Sequence, residues 1–358
     1  MYVLAYCAFI GSIILKFLIP NKKFYFGFLF LFMAIIVGIR DPYTGTDTLM
    51  YHELTDIVKR EGIVSTDQSN VNIEIGYRIL MFFCGGILDS SQSLIFITSI
   101  ITYLLFAIYL YKNSDEKYYY IAGVLFIGMG FFVESINAIR QLLALSIAVN
   151  GLDYLKNNQY VKAIIIVVLS SFIHTSMILL IILIIFYMIA GRLVKKDGNN
   201  IIMFFSSLFL IMFIGVNIVN IINNNIDSLG RYAVYYSRPE YLTPGDGGWI
   251  KIIGFLIINL IYSFFRFNKY DRVYSMMLIL GCEFALITMY FTNTWMVIFS
   301  RFYYEFCIFF VILLINFLRK INSPLINICF QIFLILISAI NLYKQVEIGL
   351  DLSYDVFF

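Results

Sequence analysis

Charge is what this chain has least of. Only 13% of its 358 residues are Asp, Glu, Lys or Arg, about half the share of an ordinary soluble domain. Hydrophobic residues make up 61% and the mean hydropathy is +0.88. A soluble core of this size does not bury so much apolar surface. The apolar residues form long Ile-, Leu- and Phe-rich runs without two-residue alternation, which excludes a β-barrel. The expectation is an all-α polytopic integral membrane protein, with 1–358 forming a single transmembrane domain.

Other scarcities narrow the chemistry. The five cysteines, Cys7, Cys84, Cys282, Cys307 and Cys329, stand singly, without CxxC or Cys/His spacing. That argues against a disulfide framework and a zinc site. There is no Gly-rich phosphate loop, HExxH or GxSxG. Nor is there an Asp-x-Asp pair of the kind that holds a metal–nucleotide in many sugar transferases. No metal and no cofactor are expected, and a net charge of +3 gives no reason to expect a nucleic-acid partner. The 36 Phe and 27 Tyr are read as interface anchoring and base composition, not as a cofactor box.

A membrane span needs roughly 20 apolar residues. Candidates are 2–20, 24–39, 91–111, 118–133, 138–155, 201–222, 249–265, 273–292, 302–318 and 325–343. The first run lacks a basic leader and a small-residue cleavage site, and is read as a retained helix. The stretch 161–190 contains a polar break, Ser170–Ser176, and divides into two short helices there. Placing Lys22 and Lys23 in the cytoplasm supports the division. Lys112, Lys117, Lys156, Lys162, Arg192, Lys195, Lys196, Arg266, Lys269, Arg272, Arg319 and Lys320 then share that side. The segment 76–88, with Gly85-Gly86, is too short to cross and reads as re-entrant or interfacial. The sum is about 12 crossings, with two large extracytoplasmic loops at 40–75 and 223–248.

Charge beside hydrocarbon is costly and marks candidate sites. Arg40 begins Arg40-Asp-Pro-Tyr-Thr-Gly-Thr-Asp47. Asp47 or Thr46 there can cap a helix carrying Tyr51 and His52. A snorkelling arginine at a helix end is the plain alternative. Asn137, Arg140, Gln141 and Ala144 form one stripe of an otherwise apolar helix. It is either an anion clamp, for which guanidinium is suited, or a structural pair of the Glu134–Arg140 kind. His174, one of two histidines, lies in the polar break; imidazole there can take or give a proton. Arg301 opens Arg301-Phe-Tyr-Tyr-Glu305, where a local pair with Glu305 competes with a functional role. Arg231, Tyr232 and Tyr235 in the second loop are placed to stack on sugar rings or to lie among lipid headgroups.

Taken in order, Arg40…Gly45-Thr46-Asp47…Tyr51, Asn137-Ala-Ile-Arg140-Gln141, Ser170…His174-Thr-Ser176 and Arg301-Phe-Tyr resemble the EpsG-type group of bacterial polysaccharide polymerases. That group is similar to Wzy-type O-antigen polymerases. The resemblance implies a metal-independent glycosyltransferase of the inner membrane, with its active site toward the periplasm. Donor and acceptor would be oligosaccharide repeat units on undecaprenyl diphosphate, in the lipid bilayer, with a chain-length regulator as a possible partner. On this reading His174, Asp47 and Glu134 are the candidate general bases. Arg40, Arg140 and Arg301 stabilise the diphosphate leaving group. Tyr51, Asn137, Gln141, Arg231, Tyr232 and Tyr235 contact sugar. An O-antigen ligase shares this donor and chemistry. A lipid-linked oligosaccharide flippase would instead need cations along a path open to both sides.

Overall fold

The computed structural model describes residues 2–45, 47–63, 73–193, 204–205, 207–208, 211–212, 217, 249–265, 269–294 and 299–355. Every regular element among them is helical. They fall into two compact units, residues 1–178 with 314–358, and 179–313.

In the first unit, α1 (Tyr2–Leu18) and α2 (Lys22–Gly38) form a hairpin. The amphipathic α3 (Thr48–Glu61) and the short α4 (Ile75–Phe82, continuing as a π-helical turn Phe83–Ile87) follow. Then come α5 (Ser91–Asn113), α6 (Tyr119–Gly128), α7 (Phe131–Asn137), α8 (Ile139–Leu152) and α9 (Tyr160–Ser171). A 3-10 turn, Thr175–Ile178, leads out of this unit. The second unit contains α10 (Leu179–Leu193), α11 (Trp249–Phe264), α12 (Lys269–Thr294) and the larger part of α13 (Phe299–Lys320). The last helix, α14 (Pro324–Asp355), returns to the first unit and packs along α6.

Among the described residues, four helices suffice by length and composition to cross a membrane, at 91–113, 274–294, 301–320 and 324–347. A bent pair, α6 and α7, makes a fifth, and further apolar helices are shorter. The chain is therefore an α-helical membrane protein. Most of the candidate span 201–222, and all of the loop 223–248 with Arg231, Tyr232 and Tyr235, lie outside the described residues.

The span expected at 118–133 differs from expectation. It breaks at Met129-Gly130 and bends by 45° into α7. Gly130 has φ +100, and a Cβ there would lie 2.3 Å from Gln345 Oε1. The carbonyls released by the break need donors, since lipid offers none. Asn341 Nδ2 donates to Gly128 O (2.5 Å) and Gln345 Nε2 to Met129 O (3.2 Å), both from α14. The short segment and the chain break expected from sequence also occur. The segment 75–87 is a short helix, and the chain turns at 172–174 before the 3-10 turn.

Many aromatics are core and not interface. Phe30, Tyr103, Phe106, Phe126, Phe131 and Phe132 are fully buried between α2, α5, α6 and α7. Their rings meet edge-on or stacked, as for Phe126–Phe131 at 4.8 Å. In lipid, burial from water contributes little between helices, so this close contact is the main source of cohesion.

The first unit has two chemically distinct ends. At one, Lys22 Nζ donates to Ser114 O (2.6 Å) and pairs with Glu116, and Lys156 pairs with Asp153 (3.0 Å). There too, Arg319 faces Asp115 and Asn327 donates to Leu318 O. The end of α2, the starts of α5 and α8 and the end of α9 form the opposite end.

Candidate functional site

At this opposite end α2 stops at Gly38, and Arg40 turns inward instead of snorkelling, leaving only 3% of its surface exposed. Its Nη1 donates to Val37 O (2.9 Å) and its Nε to Thr48 Oγ1 (3.1 Å). The cation thus caps the carbonyl end of α2, where the helix dipole favours it. Among the described residues Nη2 has no hydrogen-bond partner. Burial draws the guanidinium down to about 10, against the favourable fields of Tyr77, Tyr103, Tyr51 and Asp47, so it stays charged at neutral pH.

The loop after Arg40 folds back on itself. Asp41 accepts from Tyr43 N (2.9 Å), and Gly45 bends the chain with φ +84. A Cβ on Gly45 would sit 2.8 Å from both Asn137 Oδ1 and Ile136 O, so only glycine lets the loop lie on the α7–α8 junction. Asp47 occupies the N-cap position of α3 but makes no side-chain capping bond, and the other capping candidate, Thr46, lies outside the described residues. It bears on Arg40 electrostatically.

Arg140 is the second residue of α8 and the hub of the site. Its Nε donates to Tyr51 Oη on α3 (3.0 Å), and its Nη1 forms an ion pair with Glu74. The Tyr51 and Tyr77 ring centroids lie 5.8 and 5.9 Å from its Cζ, within reach of a cation–π contact. The two rings pack edge-on at 5.6 Å. The fields of both Arg140 and Arg40 reach the Tyr77 hydroxyl.

Glu74 carries the site to the α9 turn. Its Oε1 accepts from Thr175 N (3.1 Å) and Thr175 Oγ1 (2.7 Å). Burial disfavours the charge of Glu74, but Arg140 and Thr175 outweigh it and hold the carboxyl below its usual range. Next to Thr175, His174 is half-buried, with Nδ1 2.6 Å from Ser176 Oγ. His52 is buried on α3, its Nδ1 2.9 Å from Ser91 Oγ, and burial lowers its pKa.

The structure therefore gathers Arg40, Asp47, Tyr51, Asn137, Arg140 and the turn bearing His174 at one end of the unit. Gln141 is buried beside Arg140 on α8. Glu134 lies on α7, and the carboxylate paired with Arg140 is Glu74 instead. Arg301 is exposed near the start of α13 in the second unit. Glu74, Tyr77 and Thr175 were not among the sequence candidates. Glu74 is 66 residues from Arg140, and no local spacing announces the pair. Among the described residues, no group of three His, Cys, Asp or Glu side chains is placed to hold a metal ion.

A helical membrane protein with one buried and one half-buried guanidinium group, a carboxylate and hydroxyl-bearing rings at one end is suited to hold an anionic, hydroxyl-rich ligand. Residues 23–351 match the EpsG family. The chain belongs to that family, one of Wzy-type polymerase-like membrane proteins, and is thus a membrane protein of the polysaccharide-polymerase, glycosyltransferase-like type. Comparison with curated proteins found no match, and comparison with solved structures found none either.

Proposed function

We infer that this protein polymerises oligosaccharide repeat units carried on undecaprenyl diphosphate, at the periplasmic face of the bacterial inner membrane, into O-antigen or a related polysaccharide. One observation carries the reading. Arg40, buried, and Arg140, half-buried against Tyr51 and Tyr77, sit at the end of the unit opposite the cluster of Lys22, Lys156 and Arg319. Lys and Arg gather on the cytoplasmic side of membrane proteins, so that cluster supports an outer position for the arginine site.

In the reaction, an acceptor sugar hydroxyl attacks the anomeric carbon of the lipid-borne chain. The new C–O bond forms as the bond to the diphosphate breaks, and the leaving group takes up negative charge. Arg40 and Arg140, fixed before substrate arrives, stabilise that charge, the largest catalytic contribution expected of a preorganised site. His174 is the proposed base. With Nδ1–H donating a hydrogen bond to Ser176 Oγ, Nε2 is the nitrogen proposed to receive the acceptor proton. Tyr51, Asn137 and Gln141 are the proposed sugar contacts, and a chain-length regulator the proposed partner.

A polysaccharide gel from a strain lacking the gene tests the reading. Lipid A core bearing one repeat unit is the expected result. Core bearing none would assign the protein to ligation or to lipid flipping.

A further inference from the structure

Glu74 belongs to none of the roles assigned above, yet it joins three segments distant in sequence. It precedes α4, pairs with Arg140 on α8, and accepts two hydrogen bonds from Thr175 at the turn after α9. A second contact fixes the same segment independently. Gly76 N donates to Phe172 O (2.7 Å), and a Cβ on Gly76 would lie 2.6 Å from that oxygen. Residues 74–76 are thereby strapped to the turn that carries His174. Removing Glu74 would free Arg140 and Thr175 together, leaving the Gly76–Phe172 bond as the remaining tie to the turn.

The carboxylate is poorly placed to act as a base itself. One oxygen is committed to Arg140 and the other to two donors of Thr175, all of which favour its ionised form. It is well placed to hold other groups. An arginine fork has many rotamers, and fixing it on a carboxylate from one side and Tyr51 from the other sets the direction of its remaining N–H groups.

We propose that Glu74 is a positioning residue of the transfer site, aligning Arg140 and the His174-bearing turn on one frame. This rests on the reading of the site as a glycosyl transfer centre. It names a function for a carboxylate that does not touch substrate.

Two measurements on the purified full-length chain in lipid nanodiscs test it. The first is amide hydrogen exchange of the peptide containing Thr175. Glu74→Ala removes the acceptor and accelerates exchange there, whereas Glu74→Gln retains an acceptor oxygen and stays near wild type. Unchanged exchange in Glu74→Ala would overturn the strap whatever reaction the protein catalyses. The second is chain elongation from undecaprenyl-diphosphate-linked repeat units isolated from cells lacking the protein. A misaligned catalytic group costs on the order of 100-fold, and Glu74→Ala is expected to lose activity on that scale. Formate, which refills the carboxylate site, restores it with increasing dose, and neutral formamide does not. A purely structural role would not give that selectivity. Elongation by wild type, with Glu74→Ala equally active or equally dead in formate and formamide, would overturn the positioning role and leave the polymerase reading standing. A wild-type chain that elongates nothing would remove the polymerase reading and this role with it, while the exchange result would still report on the strap.

Discussion

Arg40→Lys keeps the charge and loses the geometry. Arginine here supplies Nη1 to Val37 O and Nε to Thr48 Oγ1, two acceptors that one ammonium on a flexible stem does not meet together. An acceptor left without its donor costs about 1–3 kcal/mol. The lysine variant should therefore unfold at lower temperature in detergent and give short polysaccharide chains. At Glu74 the carboxyl is held below its ordinary value, so the bonds to Arg140 and Thr175 stabilise the native state at neutral pH. That contribution is complete above the free carboxylate value and disappears as pH falls through the lower native one. Thermal unfolding of wild type and Glu74→Gln should differ at pH 7 and converge in acid; a gap independent of pH would contradict the assignment. At this scale the sequence was informative wherever charge met hydrocarbon, which singled out Arg40, Arg140 and His174. It was silent on Glu74, because an acid in a polar, acidic loop looks solvated until the fold brings Arg140 to it.

The elements that shape the site depend on interruptions in helices. Gly45 places its loop on the α7–α8 junction with a positive φ and no room for a methyl group. Gly45→Ala adds backbone strain of about 1–3 kcal/mol and displaces Asn137 or Ile136. It should reduce polymer length while membrane insertion persists, as read by gel and immunoblot. Two interruptions were legible. Clustered Ser, His and Thr marked the break near His174, and short length with a Gly pair marked 75–87. The break at Gly130 was not, because glycine is common inside membrane helices. The partners that make it tolerable, Asn341 and Gln345, lie more than two hundred residues away. The same distance effect hid the aromatic core. Phe and Tyr facing lipid and Phe and Tyr facing one another have identical local patterns.

For the whole molecule, the hydrophobic runs gave the fold class directly, while the division into two units depends on long-range packing that no run encodes. The proposed orientation rests on the basic residues at one end of the first unit. With native cysteines replaced, Tyr43→Cys at the arginine end should react with a membrane-impermeant maleimide in spheroplasts. Lys117→Cys at the lysine end should react only after lysis. Both positions are exposed, and the reverse pattern would invert the topology.

The central claim is that guanidinium groups held at one end of the first unit grip a lipid-borne diphosphate while a sugar chain is transferred, and Arg140 tests it most directly. Purified wild-type protein in proteoliposomes, supplied with undecaprenyl-diphosphate-linked repeat units alone, should build a ladder of lengthening glycans and release one undecaprenyl diphosphate per bond formed. Arg140→Ala, inserted to the same level, should leave single units. A ladder of normal length from that variant would contradict the account.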